Sequence, residues 1–178
     1  MACAASVTST VKLGLGVVVV PQRDPVILAK QIATLDSFSD GRVLFGVGIG
    51  IARQEFELAR PRETGVNRGR MLDEAMAAMH AIFTEPSASF EGKYYAFHDL
   101  ALAPRPVQNP LTIYLSGKVD ATLRRAAQYG HGLMVAGRPP VAFAEWREKL
   151  RKETDAVGRD VSEIDMTYCP NVFIDDSH

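Results

Sequence analysis

The sequence predicts an α/β fold built on a parallel sheet, and three observations carry that reading. Residues 11–20, "VKLGLGVVVV", and 43–48, "VLFGVG", are apolar runs too continuous to alternate, the pattern of strands buried on both faces. Between them lies a helix with its own start signal, because Asp24 is placed to accept the orphan N–H groups and Pro25 has no N–H to lose. The same strand–helix alternation then returns along the chain with short connections, as βαβ units require.

The first helix carries Leu28, Ile32 and Leu35 on one stripe and closes near Ser39-Asp40-Gly41. Residues 67–84 repeat the theme with Leu72, Met76, Met79 and Phe83 inward as core filler, and His80 off that stripe and solvated. "SFEGKYYAFHDLALAPRP" breaks the rhythm: Glu91-Gly92 is the turn of a β-hairpin with aromatic arms, and His98 is a surface residue of it. "LTIYLSG" is a strand, Asp120 to Tyr129 a helix closed by Gly130, and "GLMVAG" a strand. Residues 140–157 form a helix with Phe143, Trp146 and Leu150 inward and the pairs Glu145/Lys149 and Glu148/Lys152 outward. "IDMTYCPNVFI" is the last strand, interrupted or bulged at Pro170.

Composition narrows the function classes. A chain of 178 residues is long enough for one domain with a proper core. Apolar residues at 47% and charged residues at 23% are ordinary for a soluble globular protein. A net charge of −1 gives no reason to expect nucleic acid or an anionic membrane as partner. No apolar run reaches the ~18 residues of a membrane span, and "MACAASVTSTVKLG" lacks the leading positive charge of a signal peptide. Cys3 and Cys169 fit neither metal-ligand spacing nor a disulfide framework. A reduced, cytoplasmic setting follows, with each Cys expected as a small buried hydrophobe.

"RVLFGVGIGIARQEF" raises the question of a nucleotide fingerprint. The Gly-x-Gly-x-x-Gly pattern needs a glycine at position 51, opening a helix directly. Position 51 is Ile, and the next clear helical pattern begins near Asn67, so the fingerprint fails. In any parallel α/β sheet the site lies at the carboxyl ends of the strands. That rule selects Gly16 to Pro21, Gly48 to Arg53, Ser116 to Asp120 and Ala136 to Pro139.

Four segments carry a family resemblance: "LGLGVVVVPQRDPVILAKQIATLDSFSDGRVLFGVGIG", "RGRMLDEAMAAMHAIFTE", "SFEGKYYAFHDLALAPRPVQ" and "ATLRRAAQYGHGLM". In order and spacing they resemble the bacterial luciferase-like flavin and deazaflavin (coenzyme F420) oxidoreductases. The resemblance implies a (β/α)8 TIM-type barrel, here a partial barrel of about five βα units matching family strands 3 to 7. The chain is then a single luciferase-like domain over residues 1–178, without the family's N-terminal and C-terminal βα units. At 178 residues it falls below the ~200 usual for a closed barrel. It reads either as a fragment or as a shortened member that completes its sheet in another way.

The resemblance also implies a site. Gly46, Gly48 and Gly50 would come to the barrel mouth, where a residue without Cβ lets a flat isoalloxazine or deazaflavin ring approach the backbone. The other reading of this ladder is close packing of strand on helix. Gly16-Val17 lies where the family often has a non-proline cis peptide beneath the ring. "SGKVDAT", beginning at Ser116, would hold the cofactor phosphate at a helix start: Gly117 allows close approach, Lys118 supplies charge, Thr122 a hydroxyl, and Arg138 a second charge. Against this stands plain capping by Asp120 with a solvated Lys118. Ile51 departs from relatives that carry a tryptophan or an acid there and cannot donate a proton. Glu55 is the nearest carboxylate or else a helix-surface residue, and His131, where relatives often have an aspartate, reads as a turn residue.

The implied function is a luciferase-like oxidoreductase, using F420 or FMN for hydride transfer or for monooxygenation of a small organic substrate. "IARQEFELARPRETG" and the aromatics Phe90, Tyr94, Tyr95 and Phe97 are its expected substrate side, unless those rings merely cover outer helices. The alternative is a shortened, non-catalytic cofactor-binding or structural homologue. A third reading is an open doubly wound sheet. Long apolar strands with bare edges also predict a homodimer or larger homo-oligomer.

Overall fold

The computed structural model describes residues 1–63, 65–137, 139–169 and 174. The chain divides into two compact units, Met1–Ile113 and Tyr114–His178.

The first unit opens with α1 (Ala2–Val7), followed by β1 (Leu13–Gly14) and β2 (Val18–Val19). Both strands pair in parallel with β3 (Val43–Gly48): Leu13 lies opposite Val43, and Val19 opposite Gly48. The expected single strand over 11–20 is thus two short pieces on either side of a cis Gly16–Val17 peptide. Val17, Val18 and Val19 are half-buried, so this run is not shielded on both faces as its composition predicts. On β3, Val43, Phe45 and Val47 share one face and have no exposed surface, while on the other face Gly46 and Gly48 are buried and Leu44 is half-buried.

α2 (Pro25–Phe38) starts as its sequence dictates, with the Asp24 carboxylate accepting from the N–H groups of Val26 (2.9 Å) and Ile27 (3.0 Å). It ends at Asp40 and Gly41, whose φ of 54° and 71° turn the chain into β3. A short α3 (Arg53–Ala59) follows β3, and it was not foreseen: only Phe56 of its residues is buried, so it leaves no apolar stripe. α4 (Arg68–Thr84), capped by Asn67, buries Leu72, Met76 and Met79 as expected and leaves His80 exposed, while Phe83 is only half-buried and Ile82 is buried beside it. The hairpin is β4 (Ala88–Glu91) against β5 (Ala96–Leu100), with the Phe90 and Phe97 rings stacked at 6.0 Å. The Glu74 carboxylate of α4 accepts from the N–H groups of Lys93, Tyr94 and Tyr95, which pins the hairpin tip to the helix.

Two buried polar groups tie distant segments together. Arg42, 7% exposed, donates to the carbonyls of Ser39, Val11 and Ala5 and to the Thr8 hydroxyl, clamping α1 onto the start of β3. Asp36, fully buried in α2, accepts from the N–H groups of Val107 (2.9 Å) and Gln108 (3.1 Å) and from the Gln108 amide (2.6 Å). The same amide donates to Val43 O, so the clamp also touches β3.

The second unit is a three-stranded parallel ladder: β6 (Ile113–Ser116), β7 (Gly132–Ala136) and β8 (Asp165–Cys169). α5 (Asp120–Tyr129) and α6 (Val141–Ala156) alternate with them. Gly130 closes α5 as foreseen, but by space and not by a left-handed backbone, since its φ is −85° and a Cβ would lie 2.8 Å from Ala126 O. Trp146 and Leu150 of α6 are buried. Glu145 meets Lys149 at 3.0 Å, whereas Glu148 takes Arg151 in place of the expected Lys152. Cys3 is exposed and Cys169 half-buried, so neither is the fully buried hydrophobe expected. Pro170 and the strand segment expected after it lie outside the described residues. Among the described residues no helix is long and apolar enough to cross a membrane.

Candidate functional site

The carboxyl ends of the strands gather the sequence-predicted residues in each unit, and each unit is described by itself.

In the second unit the site is the turn from β6 into α5. Ser116 ends β6, and its hydroxyl lies 3.4 Å from Met134 O on β7. A Cβ on Gly117 would collide with the Thr122 hydroxyl, so glycine here lets that side chain fold under the loop. Thr122 is accordingly buried, on the underside of the turn. Lys118 is exposed, and its ammonium sits 3.2 Å from where a Cβ of Gly137 would be, beyond the end of β7. Gly137 has φ of 63°, a conformation other residues rarely adopt. One lysine therefore faces the loops after two neighbouring strands.

The start of α5 bears on whether this loop can take an anion. Its N-cap is Val119, and no side chain caps the first turn. Asp120 does not cap as the simpler reading required; it stands in the first turn, 3.9 Å from Lys149. The α5 start without a side-chain cap and the nearby ammonium are donors that suit a phosphate, while the space beside Gly117 is taken by Thr122 and the Thr122 N–H donates to Val119 O. Arg138 lies outside the described residues.

In the first unit the loop after β3 is the counterpart. Gly46 and Gly48 are buried within the strand, and Gly50 follows with φ of 80°. A Cβ on Gly50 would lie 2.8 Å from Val19 Cγ1, at the end of β2. Glycine at 50 is thus required both by its backbone angle and by the closeness of β2. Gly16 is exposed and Val17 half-buried, joined by the cis peptide that the family resemblance implied. Ile51 is wholly exposed, and Glu55 is exposed in the first turn of α3.

Arg68 is the residue that sequence reading missed. Its guanidinium donates to Ala52 O (3.2 Å) and reaches Gly50 O (3.5 Å), so the first residue of α4 holds the loop after β3. Its signal was present only as a cation just after the Asn67 cap. His131 precedes β7, where its carbonyl accepts from Asp165 N; burial, then the Arg159 charge, lowers its pKa below the ordinary value. It stands at the amino end of the strand, away from the loop after it, which agrees with the turn reading. Among the described residues no cluster of His, Cys, Asp and Glu could hold a metal ion.

Comparisons with known proteins fit this geometry. The chain is 31% identical over 166 residues to an F420-dependent glucose-6-phosphate dehydrogenase of Kineococcus radiotolerans, covering 92% of this chain and 49% of that protein. The monooxygenase RslO1 of Streptomyces bottropensis superposes with a TM-score of 0.85 at 27% identity, over 99% of this chain and 54% of that one. The coenzyme F420-dependent tetrahydromethanopterin reductase of Methanopyrus kandleri gives 0.80 at 26%, over 94% and 52%. The fold is thus α/β of the partial TIM-barrel type, with about five βα units, as the resemblance implied. The chain spans about half the length of the relatives it matches. The luciferase-like monooxygenase family profile matches residues 1–178, and the chain belongs to that family.

Proposed function

We propose that the chain is the cofactor-binding part of an oxidoreductase using F420, or FMN in the second place, on a small organic substrate. The observation that carries this reading is the β6–α5 turn, where the exposed Lys118 stands beside a helix start without a side-chain cap at the carboxyl end of a strand, the donors that an anion needs. The F420 dependence of the Kineococcus and Methanopyrus proteins supports the deazaflavin, and the family's monooxygenase description keeps FMN as the second choice.

Ser116, Gly117 and Lys118 would hold the cofactor phosphate, with Thr122 bracing the turn from below and Arg138 adding charge. Gly16–Val17 would lie beneath the ring, and the Gly48–Gly50 loop, packed against Val19, would form the rim beside it. When bound, the cofactor supplies the hydride-transfer or oxygen chemistry. This chain's residues bind and orient it; Ile51 is a hydrocarbon and moves no proton. A cytoplasmic setting and a homodimer or larger assembly belong to the same proposal, the latter supported by Ile27 and Phe38 exposed on α2.

The test is titration of the folded protein with F420 and with FMN, followed by fluorescence. Saturable binding of F420, tighter than FMN, is the expected result. Saturable binding of neither would end the proposal and leave the non-catalytic homologue.

A further inference from the structure

The second unit carries a cavity that the cofactor reading does not use. It holds about 430 Å³ and lies between α6, the 3-10 turn Val161–Glu163 and the first residues of β8. That volume is within the range of small-molecule sites. His131 and Asp165 line it at the amino ends of β7 and β8, whereas the Lys118 loop follows the carboxyl end of β6.

One side of the cavity is apolar. Ile164 is buried there, and Phe143 and Met166 are half-buried. The Phe143 ring stands perpendicular to that of Tyr168, with centroids 6.4 Å apart. A ring held in this way can take a second ring by stacking or by edge contact.

The charged groups around the cavity are unequally engaged. Glu163 is committed twice: its Oε2 accepts from Arg159 (3.1 Å), which offsets its charge, and its Oε1 accepts from Asp160 N (3.2 Å). Asp165 Oδ2 accepts from the hydroxyls of Tyr114 (2.7 Å) and Thr167 (3.2 Å). Arg147 acts by charge on Asp160, but that carboxylate accepts from Ser162 N (2.7 Å). Burial and the Arg159 charge favour the neutral form of His131. Among the described residues the Arg147 guanidinium has no hydrogen bond or ion pair of its own. It stands four residues after Phe143, on the same face of α6. The charge left open to a ligand is therefore positive, and it is a planar fork of donors that matches a carboxylate.

We propose that this cavity binds a small aromatic carboxylate, its ring against Phe143 and Met166 and its carboxylate on Arg147. A neutral alcohol of the same shape keeps the apolar contact and loses the charged one. The site shares no residue with the cofactor loops, so it stands or falls apart from the proposed function.

Titration of the whole chain tests it, with isotope-labelled methionine methyl groups read by NMR and with benzoate, benzyl alcohol and benzylamine as probes. Benzoate should shift the Met166 methyl saturably with a Kd of about 1 mM, benzyl alcohol should bind more weakly, and benzylamine least. Arg147→Gln should weaken benzoate roughly tenfold and leave benzyl alcohol as it was, which also shows that the variant is folded. Arg147→Lys should restore part of the loss, and Phe143→Ala should weaken both ligands. The proposal is overturned if Met166 does not respond to benzoate, or if Arg147→Gln weakens benzoate no more than benzyl alcohol.

Discussion

The ring of Tyr114 on β6 lies against the bare backbone of Gly132, its register partner at the start of β7. A Cβ on Gly132 would run into that ring, and the ring carries a hydroxyl that donates to Asp165 Oδ2 at 2.7 Å on β8. Three strands are thus joined by one side chain crossing a glycine.

Gly132→Ala should therefore displace Tyr114 and break its bond to Asp165. Overpacking of this kind costs about 1–3 kcal/mol. Burial first and the Asp165 hydrogen bond second hold the Tyr114 hydroxyl at about 12. Alkaline absorbance titration should show one tyrosine returning toward its ordinary value, and thermal unfolding should show a lower Tm. A Tm equal to the wild type would show that the ring has room to move.

Lys118→Ala removes the ammonium from the proposed phosphate cradle. Hydrogen bonds to charged groups contribute about 1.5–3 kcal/mol, so cofactor affinity should fall roughly ten- to a hundredfold. Added salt should weaken the wild type more than this variant. Thr122→Ala should lose less affinity and some thermal stability, because its buried hydroxyl braces Gly117. Unchanged affinity in Lys118→Ala, measured by fluorescence titration, removes the cradle from the site.

Arg42→Ala leaves three carbonyls and the Thr8 hydroxyl without their shared donor. The expected loss is about 2–4 kcal/mol, seen as a lower urea midpoint, with α1 becoming open to limited proteolysis. Arg42→Lys should recover little, since an ammonium cannot span the fan of acceptors that a guanidinium does. Full recovery by lysine would show that charge alone suffices.

His131 gives the second unit a pH dependence of known sign. Its folded pKa lies below the unfolded value of about 6.5. Between the two values the unfolded chain binds a proton that the folded chain does not, so stability rises with pH there. The contribution is whole above the unfolded pKa and is lost as pH falls through the folded one. Subtracting the pH–stability curve of His131→Gln from that of the wild type should isolate this slope. Parallel curves would contradict it.

Sequence reading succeeded where the cause of structure is local. Asp24-Pro25, Asn67 and Gly130 each act on neighbours within one helical turn, and each bounds a helix as expected. The family resemblance reached further, to the cis Gly16–Val17 peptide that the apolar pattern of residues 11–20 conceals. What stayed hidden depends on partners far along the chain. Asp36 is a polar residue on a helix until Gln108, 72 positions away, is folded against it. Arg42 is a cation after a glycine until α1 supplies its acceptors. Arg68 holds Ala52, 16 residues earlier, which no spacing rule marks. The proposed site residues stand out in the sequence as glycines and a lysine at strand ends, but Thr122 packing beneath Gly117 does not, because its hydroxyl suits either face of the turn.

The Asp36–Gln108 clamp also marks off a module. It brings together the end of α2 and the approach to β6, and the hairpin with its aromatic arms leaves and returns inside that closed ring. Because the sheet-side anchor is fixed by Asp36, Gln108 and Val43, the excursion from 85 to 106 does not set where β6 begins. The entropy of closing a loop grows only slowly with its length. Changes of length within the hairpin would therefore leave the register of β6 to this anchor, while the tip stays tied to α4 through Glu74.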